Sequence, residues 1–193
     1  MSFSADGKTL VTADDGGVDV IDLVEKKLLP RSEGPGTLAK EWMAPAPEGG
    51  LAASPYGGRA VALWNTHTWK PAGHLLKLPG KALSGRFPPD GRLLAIAHDT
   101  RVTLFDVAGG YQLGAPRVVT VGDAAQGNPV PPVMAFSADS GVLRVLGADG
   151  TLHELPVDAG HAAPEVCRRA GRALTPAEWQ EHVGGEVPYT KIC

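Results

Sequence analysis

Between residues 87 and 107 the chain reads FPPDGRLLAIAHDTRVTLFDV: an aromatic lead, an Asp-Gly turn, an apolar run, a second turn and an alternating run that closes on an acid. The stretch FSADGKTLVTADDGGVDVIDL, residues 3–23, has the same order. A third, FSADSGVLRVLGADGTLHELPV, starts at Phe136 and keeps the lead and the turns but carries Leu155-Pro156 where the acid would stand. In VTLFDV, strand alternation puts Val102, Leu104 and Asp106 on one face and Thr103, Phe105 and Val107 on the other. Both faces are largely apolar, which predicts a strand covered on both sides.

Two markers give one period. Asp6-Gly7, Glu48-Gly49 and Asp90-Gly91 are spaced 42 residues apart, and Asp139, with Ser140-Gly141, follows after 49. The longer interval holds VGDAAQGNPVPP, residues 121–132, whose Gly and Pro read as a loop insertion. Asp22, Asn65 and Asp106 close the alternating runs at intervals of 43 and 41, with Leu155 in the fourth place. Each unit therefore predicts short strands joined by turns, and helical periodicity is absent until about residue 165. The expected body is all-β: about four four-stranded antiparallel units over residues 1–158, with Phe3, Phe87 and Phe136 in equivalent buried positions. Residues 159–193 form a separate tail.

Composition narrows the function classes without choosing among them. At 193 residues with a formal net charge of -3 and both signs dispersed, the chain has no basic stripe for phosphate backbones or anionic lipid. Nucleic acid and membrane are therefore not expected partners. The start MSFSADGKTL lacks the basic and apolar segments of a signal peptide, and no apolar run approaches the length of a membrane span; a cytoplasmic protein is expected. Cys167 and Cys193 both fall in the tail. In a reducing compartment they are expected as free thiols, with a covalent clasp as the alternative.

The search for chemistry yields no catalytic, cofactor-binding or metal residue. The histidines at 67, 74, 98, 153, 161 and 182 have no ligand spacing, and Cys167, Cys193 and His182 fall short of a zinc set. Gly80-Lys81 lacks a phosphate loop, and Gly34-Pro35-Gly36-Thr37-Leu38-Ala39, though it matches G-x-G-x-x-A, opens no βαβ unit and reads as a linker. Asp14, Asp15 and Asp19 are crowded enough to suggest a cation, yet turn acids explain them. Trp42, Trp64 and Trp69 fit either an aromatic recognition surface or core packing. No cofactor is expected.

A period near 42 residues with F-S-x-D-G, an apolar run, D-x-x-V-x-L and a closing aromatic-acid pair resembles the WD40 repeat, one blade of a β-propeller. Ile21-Asp22, Trp64-Asn65, Phe105-Asp106 and Leu155-Pro156 match the family's Trp-Asp dipeptide position. The tail CRRAGRALTPAEWQEHVGGEVPYTKIC, residues 167–193, is similar to the closing segment of many actinobacterial WD40-repeat proteins. Within it Thr175, Pro176 and Glu178 have capping-box spacing, predicting a helix from Pro176 to about His182. Leu174, Trp179 and Tyr189 are expected to lie against the last blade around Leu152–Val157.

Four units make a partial ring, whose open edges invite association. Met1-Ser2 leaves little room for a strand before Phe3, so the chain is expected to be the C-terminal part of a larger polypeptide, with ring completion by two chains as the alternative. The resemblance implies a bacterial, non-catalytic scaffold or sensor module in signalling, whose partner is another protein or upstream domains of its own polypeptide. The competing reading is a propeller enzyme, a hydrolase or lyase with its site at the central channel.

Overall fold

A computed structural model describes residues 2–3, 7–14, 17–29, 42–119, 130–184, 186–191 and 193. They form four antiparallel sheets, each a meander of consecutive strands. The first sheet contains β1 (Ser2–Phe3), β2 (Thr9–Asp14), β3 (Gly17–Asp22) and β4 (Lys27–Leu28). The second contains β5 (Ala44–Pro45), β6 (Leu51–Tyr56), β7 (Ala60–Asn65) and β8 (Leu76–Lys77). The third contains β9 (Ala82–Arg86), β10 (Leu93–His98), β11 (Arg101–Asp106) and β12 (Gln112–Val118). The fourth has three strands, β13 (Val133–Phe136), β14 (Val142–Leu146) and β15 (Leu152–Pro156). First strands approach one another across sheets, β1 against β5 and β9 against β13, while β9 also touches β6. Inner first strands with successive sheets stacked outward from them make a propeller-like array.

Both periodic markers mark turns. Gly7, Gly49 and Gly91 have φ of 68°, 74° and 66°, left-handed values that glycine adopts without steric cost. In the fourth unit that place belongs to Ser140, at φ 65°, so the turn is Asp139-Ser140 and Gly141 lies one step beyond it. Gly141 has its own constraint: a Cβ there would stand 2.2 Å from the His161 ring. The second marker is a side-chain cap. Asp22 Oδ1 accepts from the N–H groups of Val24 and Glu25, Asn65 Oδ1 from those of His67 and Thr68, and Asp106 Oδ1 from that of Gly109. Each cap closes the turn after a third strand by the Asx geometry. Pro156 stands near the corresponding place in the fourth sheet and offers no such acceptor, and the chain enters a helix instead of a fourth strand there. The expectation of four strands in every unit is corrected to this extent.

Strand alternation distributes the interior into separate seams. Val61 and Leu63 of β7 join Leu94, Ile96 and Phe105 between the second and third sheets. Ala62 and Trp64, from the opposite face of β7, join Val11, Val20 and Trp69 between the first and second. Ala95, Ala97 and Val102 meet Met134, Leu143 and Val145 between the third and fourth. Phe87 is 4% exposed and Phe136 packs against the last of these seams, but Phe3 is 59% exposed. The reason is register. Phe3 pairs with Leu10 just as Phe136 pairs with Leu143, on the face that turns toward a preceding sheet. The first sheet has none among the described residues.

The tail begins with α1 (Ala159–Ala170), which the sequence pattern did not predict. Asp158 caps it by accepting from the His161 N–H, and Gly171 ends it at φ 70°. Its apolar positions Ala159, Ala162, Ala163, Val166 and Ala170 fall at helical spacing, but most are small, Gly160 and Pro164 interrupt them, and no α1 residue is buried, so the stripe is a weak signal. The predicted second helix, α2, spans Pro176–His182 with both capping-box bonds present between Thr175 and Glu178. Cys167 and Cys193 are disulfide-bonded, which corrects the expectation of free thiols. Trp179 is buried, donates to the Val187 carbonyl at 2.9 Å and meets Tyr189 edge-on at 5.8 Å, while the Tyr189 hydroxyl donates to the Leu174 carbonyl. These contacts fold the tail on itself, and α1 lies against β15.

Candidate interaction surface

In each four-stranded sheet the turn from first to second strand and the turn from third to fourth fall at the same end, because a meander alternates. That end carries the left-handed turns at Gly7, Gly49, Gly91 and Ser140 and the Asx caps. Backbone bonds from Gly49 to Ala46, Gly91 to Pro88 and Ser140 to Ser137 close three of the turns. Adjacent turns are also tied across units: the Asp90 N–H donates to Ser140 Oγ at 3.1 Å. Short turns closed by their own hydrogen bonds present their tips without further ordering cost, which suits recognition from a rigid scaffold.

Between the first and second sheets at this end lies a cleft of about 520 Å³. Its lining is mainly apolar, with Phe3, Val11, Met43 and Trp69, and Thr66 and His67 add polar groups from the turn that Asn65 caps. Trp69 and Trp64 are buried in the adjoining seam. Trp64 donates through Nε1 to Ser54 Oγ at 2.9 Å, and both residues are fully buried. Trp42 packs on the seam between the second and third sheets; a Cβ on Gly85 would meet its ring at 2.5 Å, so glycine in β9 makes room for the indole. Of the alternatives for these tryptophans, core packing holds for Trp64 and Trp69.

A cluster of hydrogen-bonded titratable groups lies beside this end, where α1 meets the fourth sheet. The His161 imidazole has Asp158 Oδ2 2.8 Å from Nδ1 and Asp139 Oδ2 3.3 Å from Nε2. Its hydrogen bond to Asp158 raises its pKa above the ordinary histidine value. Asp139 is held below the usual carboxylate range by the Ser137 hydroxyl and then by the Gly141 N–H, and Asp158 by the His161 N–H and then its ring. Ser137 Oγ donates to Asp139 Oδ1 at 2.5 Å, so the hydroxyl is engaged by the carboxylate and not by the imidazole. The serine and the histidine are thus each bonded to a carboxylate and not to one another. The cluster is a clamp between α1 and the β13–β14 turn.

His98 lies at the opposite end, fully buried, with Nε2 2.7 Å from Thr103 Oγ1; burial lowers its pKa, and it serves as a neutral cross-strand link. Among the described residues no group of three or more metal-ligating side chains occurs, and no helix is long and apolar enough to cross a membrane. Asp15 and the stretch Gly34–Ala39 lie outside the described residues, as does most of the loop 121–132.

No family model matches the sequence, and no curated relative does. Among solved structures the chain is similar to hydrazine synthase of Kuenenia stuttgartiensis, with a TM-score of 0.63 and 15% identity over 82% of this chain. The chain spans 45% of the length of that protein's chain. At such identity the likeness is one of fold.

Proposed function

We propose that the chain is a WD40-like scaffold segment that binds another protein through the turn-bearing end of its sheets. The observation that carries this reading is the apolar cleft of about 520 Å³ beside turns that are closed by their own side-chain and backbone bonds. Rigid rims around an apolar floor suit an extended segment that inserts one or two apolar side chains and hydrogen-bonds to the rim. The recurrence of Asp22, Asn65 and Asp106 as turn caps and the buried Trp64–Ser54 bond support the WD40-like assignment. A role within a larger bacterial signalling protein follows from the tail's resemblance alone.

The test is selection of a displayed peptide library on the purified chain, followed by affinity measurement with Thr66→Arg, a substitution at the cleft rim. Peptides with apolar anchors whose binding falls on the order of tenfold or more in the variant support the cleft as the site. If selected peptides bind both proteins equally, the cleft is not the site. Turnover in a parallel screen of esters, glycosides and phosphoesters would instead favour the propeller enzyme.

A further inference from the structure

The turn acids repeat in sequence but not in what they hold. Asp90 is engaged by its own turn, Oδ1 accepting the Arg92 N–H and Oδ2 the Arg92 side chain at 2.7 Å. Asp139 accepts the Ser137 hydroxyl and the Gly141 N–H, and its other oxygen lies 3.3 Å from His161 Nε2. The equivalent position in the second unit carries Glu48, and Gly50 stands where the third unit has Arg92. One methylene longer, the glutamate makes none of these bonds. Its turn is closed by the backbone, through the Gly49 N–H to the Ala46 carbonyl and the Ala46 N–H to the Leu51 carbonyl. Among the described residues no hydrogen bond or ion pair engages the Glu48 carboxylate.

That carboxylate borders the apolar cleft. Glu48 lines the space of about 520 Å³ together with Met43, Leu51 and Trp69, and no lysine or arginine stands in its described lining. Glu48 also lines a second depression of about 420 Å³, with Leu51, Leu63 and Val107; there the charges of Asp90 and Arg92 already neutralise one another at 2.7 Å. A Cβ on Gly91 would lie 3.9 Å from Glu48 Cγ, so the glutamate leans toward the neighbouring turn and its charge stands on the ridge between the two spaces. A segment laid across the cleft removes water from this carboxylate. A neutral or acidic segment returns nothing for that loss, whereas a cation beside the apolar anchor does, so one group attracts one class of segment and rejects another.

We propose that the protein segment bound in the cleft carries a lysine or arginine next to its apolar anchor, and that Glu48 receives the cation. The inference rests on the cleft as a protein-binding site and deepens that reading by one property, the sign of the partner's charge. An extended chain sets side chains of one face about 7 Å apart, and the flexible stem of lysine or arginine lies along apolar surface with its head in water. A basic residue one or two places from the anchor therefore reaches the ridge. The pair stays open to solvent on one side, so it sets preference more than strength, contributing about two- to fivefold in affinity. The contribution shrinks as salt screens it.

The probe is a displayed library of seven-residue peptides with leucine fixed at the centre and every other position random, selected on the intact chain. Lysine and arginine should be enriched within two places of the leucine, and selection on Glu48→Lys should enrich aspartate and glutamate there instead. For a selected basic peptide, Glu48→Gln and the peptide's own basic-to-glutamine change should each weaken binding about two- to fivefold, and together no more than either alone. Location is read separately. With the methionine methyl groups labelled for NMR, the Met43 signal should shift on binding, whereas that of Met134, buried between the third and fourth sheets, should not. If Met43 shifts but no basic enrichment appears, or Glu48→Gln binds the basic peptides as tightly as the parent chain, this inference falls and the cleft remains a binding site. If no peptide is selected, or none moves Met43, the cleft reading falls and takes the inference with it.

Discussion

The Trp64–Ser54 bond allows the seam between the first two sheets to be tested by a double-mutant cycle. Both residues are fully buried, and the indole N–H has the Ser54 hydroxyl 2.9 Å away. Trp64→Phe removes the pyrrole portion, opening a space of roughly 40 Å³ that costs about 1 kcal/mol at about 24 cal/mol per Å³. It also deprives Ser54 Oγ of its donor, adding about 1 kcal/mol while the hydroxyl keeps its own 3.5 Å bond to the Pro55 carbonyl, for a total of about 2. Ser54→Ala strands the indole N–H and should cost about 1–2 kcal/mol. In the double variant neither polar atom is left without its partner, so the combined loss should fall short of the sum by about 2 kcal/mol. Urea titration followed by far-ultraviolet circular dichroism reads all four corners, provided the urea dependence has the same slope in each. If the losses add to within about 0.3 kcal/mol, the bond contributes nothing and Trp64 acts by volume alone.

Two further outcomes concern the tail. The folded pKa of His161 is raised, so its clamp on α1 is fully present below the ordinary histidine value and lost as pH rises through the folded value. Asp139 and Asp158 have lowered values, so their contribution is present above the ordinary carboxylate range and lost as pH falls through the folded values. Proton NMR of the His161 ring should show a midpoint above the ordinary histidine value, and Asp139→Asn should lower it; an unchanged midpoint refutes the clamp. Trp179→Ala with the disulfide intact should loosen α2 while the C-terminus stays tethered, and added reductant should then speed tryptic cleavage after Arg172 far more than in the parent chain. Closing a loop of 26 residues contributes about 3.5 kcal/mol in the chain-entropy picture, so equal rates with and without reductant would show that the bridge carries no constraint.

Local signals were legible because they are enforced locally. The turn period is visible because left-handed backbone favours glycine at positions 7, 49 and 91, and the caps because only a short side-chain oxygen at positions 22, 65 and 106 reaches the next turn. Thr175 and Glu178 announced α2 for the same reason. What the sequence hid depends on distant partners. Phe3 has the same lead as Phe136 but has no covering sheet among the described residues, and nothing in FSAD distinguishes the two. The Cys167–Cys193 bridge required α1 to be known, and α1 carries Gly160 and Pro164 with no buried stripe. The cleft was missed because its walls come from β1, β2 and the turns around β6 and β7, which only stacking brings together.

The seams have a consequence for how the molecule comes apart. Among the described residues no apolar cluster spans more than two sheets, so these residues form no single interior whose loss would melt everything together; neighbouring sheets are coupled, remote ones only through those between. Opening free energies should therefore grade along the array, as in solenoids described by nearest-neighbour terms. Among the described residues the second and third sheets are clasped between two others and form the slow-exchanging centre, whereas the first and fourth each pack on one sheet and act as fraying ends. Damage at one seam stays local, and any ligand gripping the first two sheets stiffens the weaker of those ends.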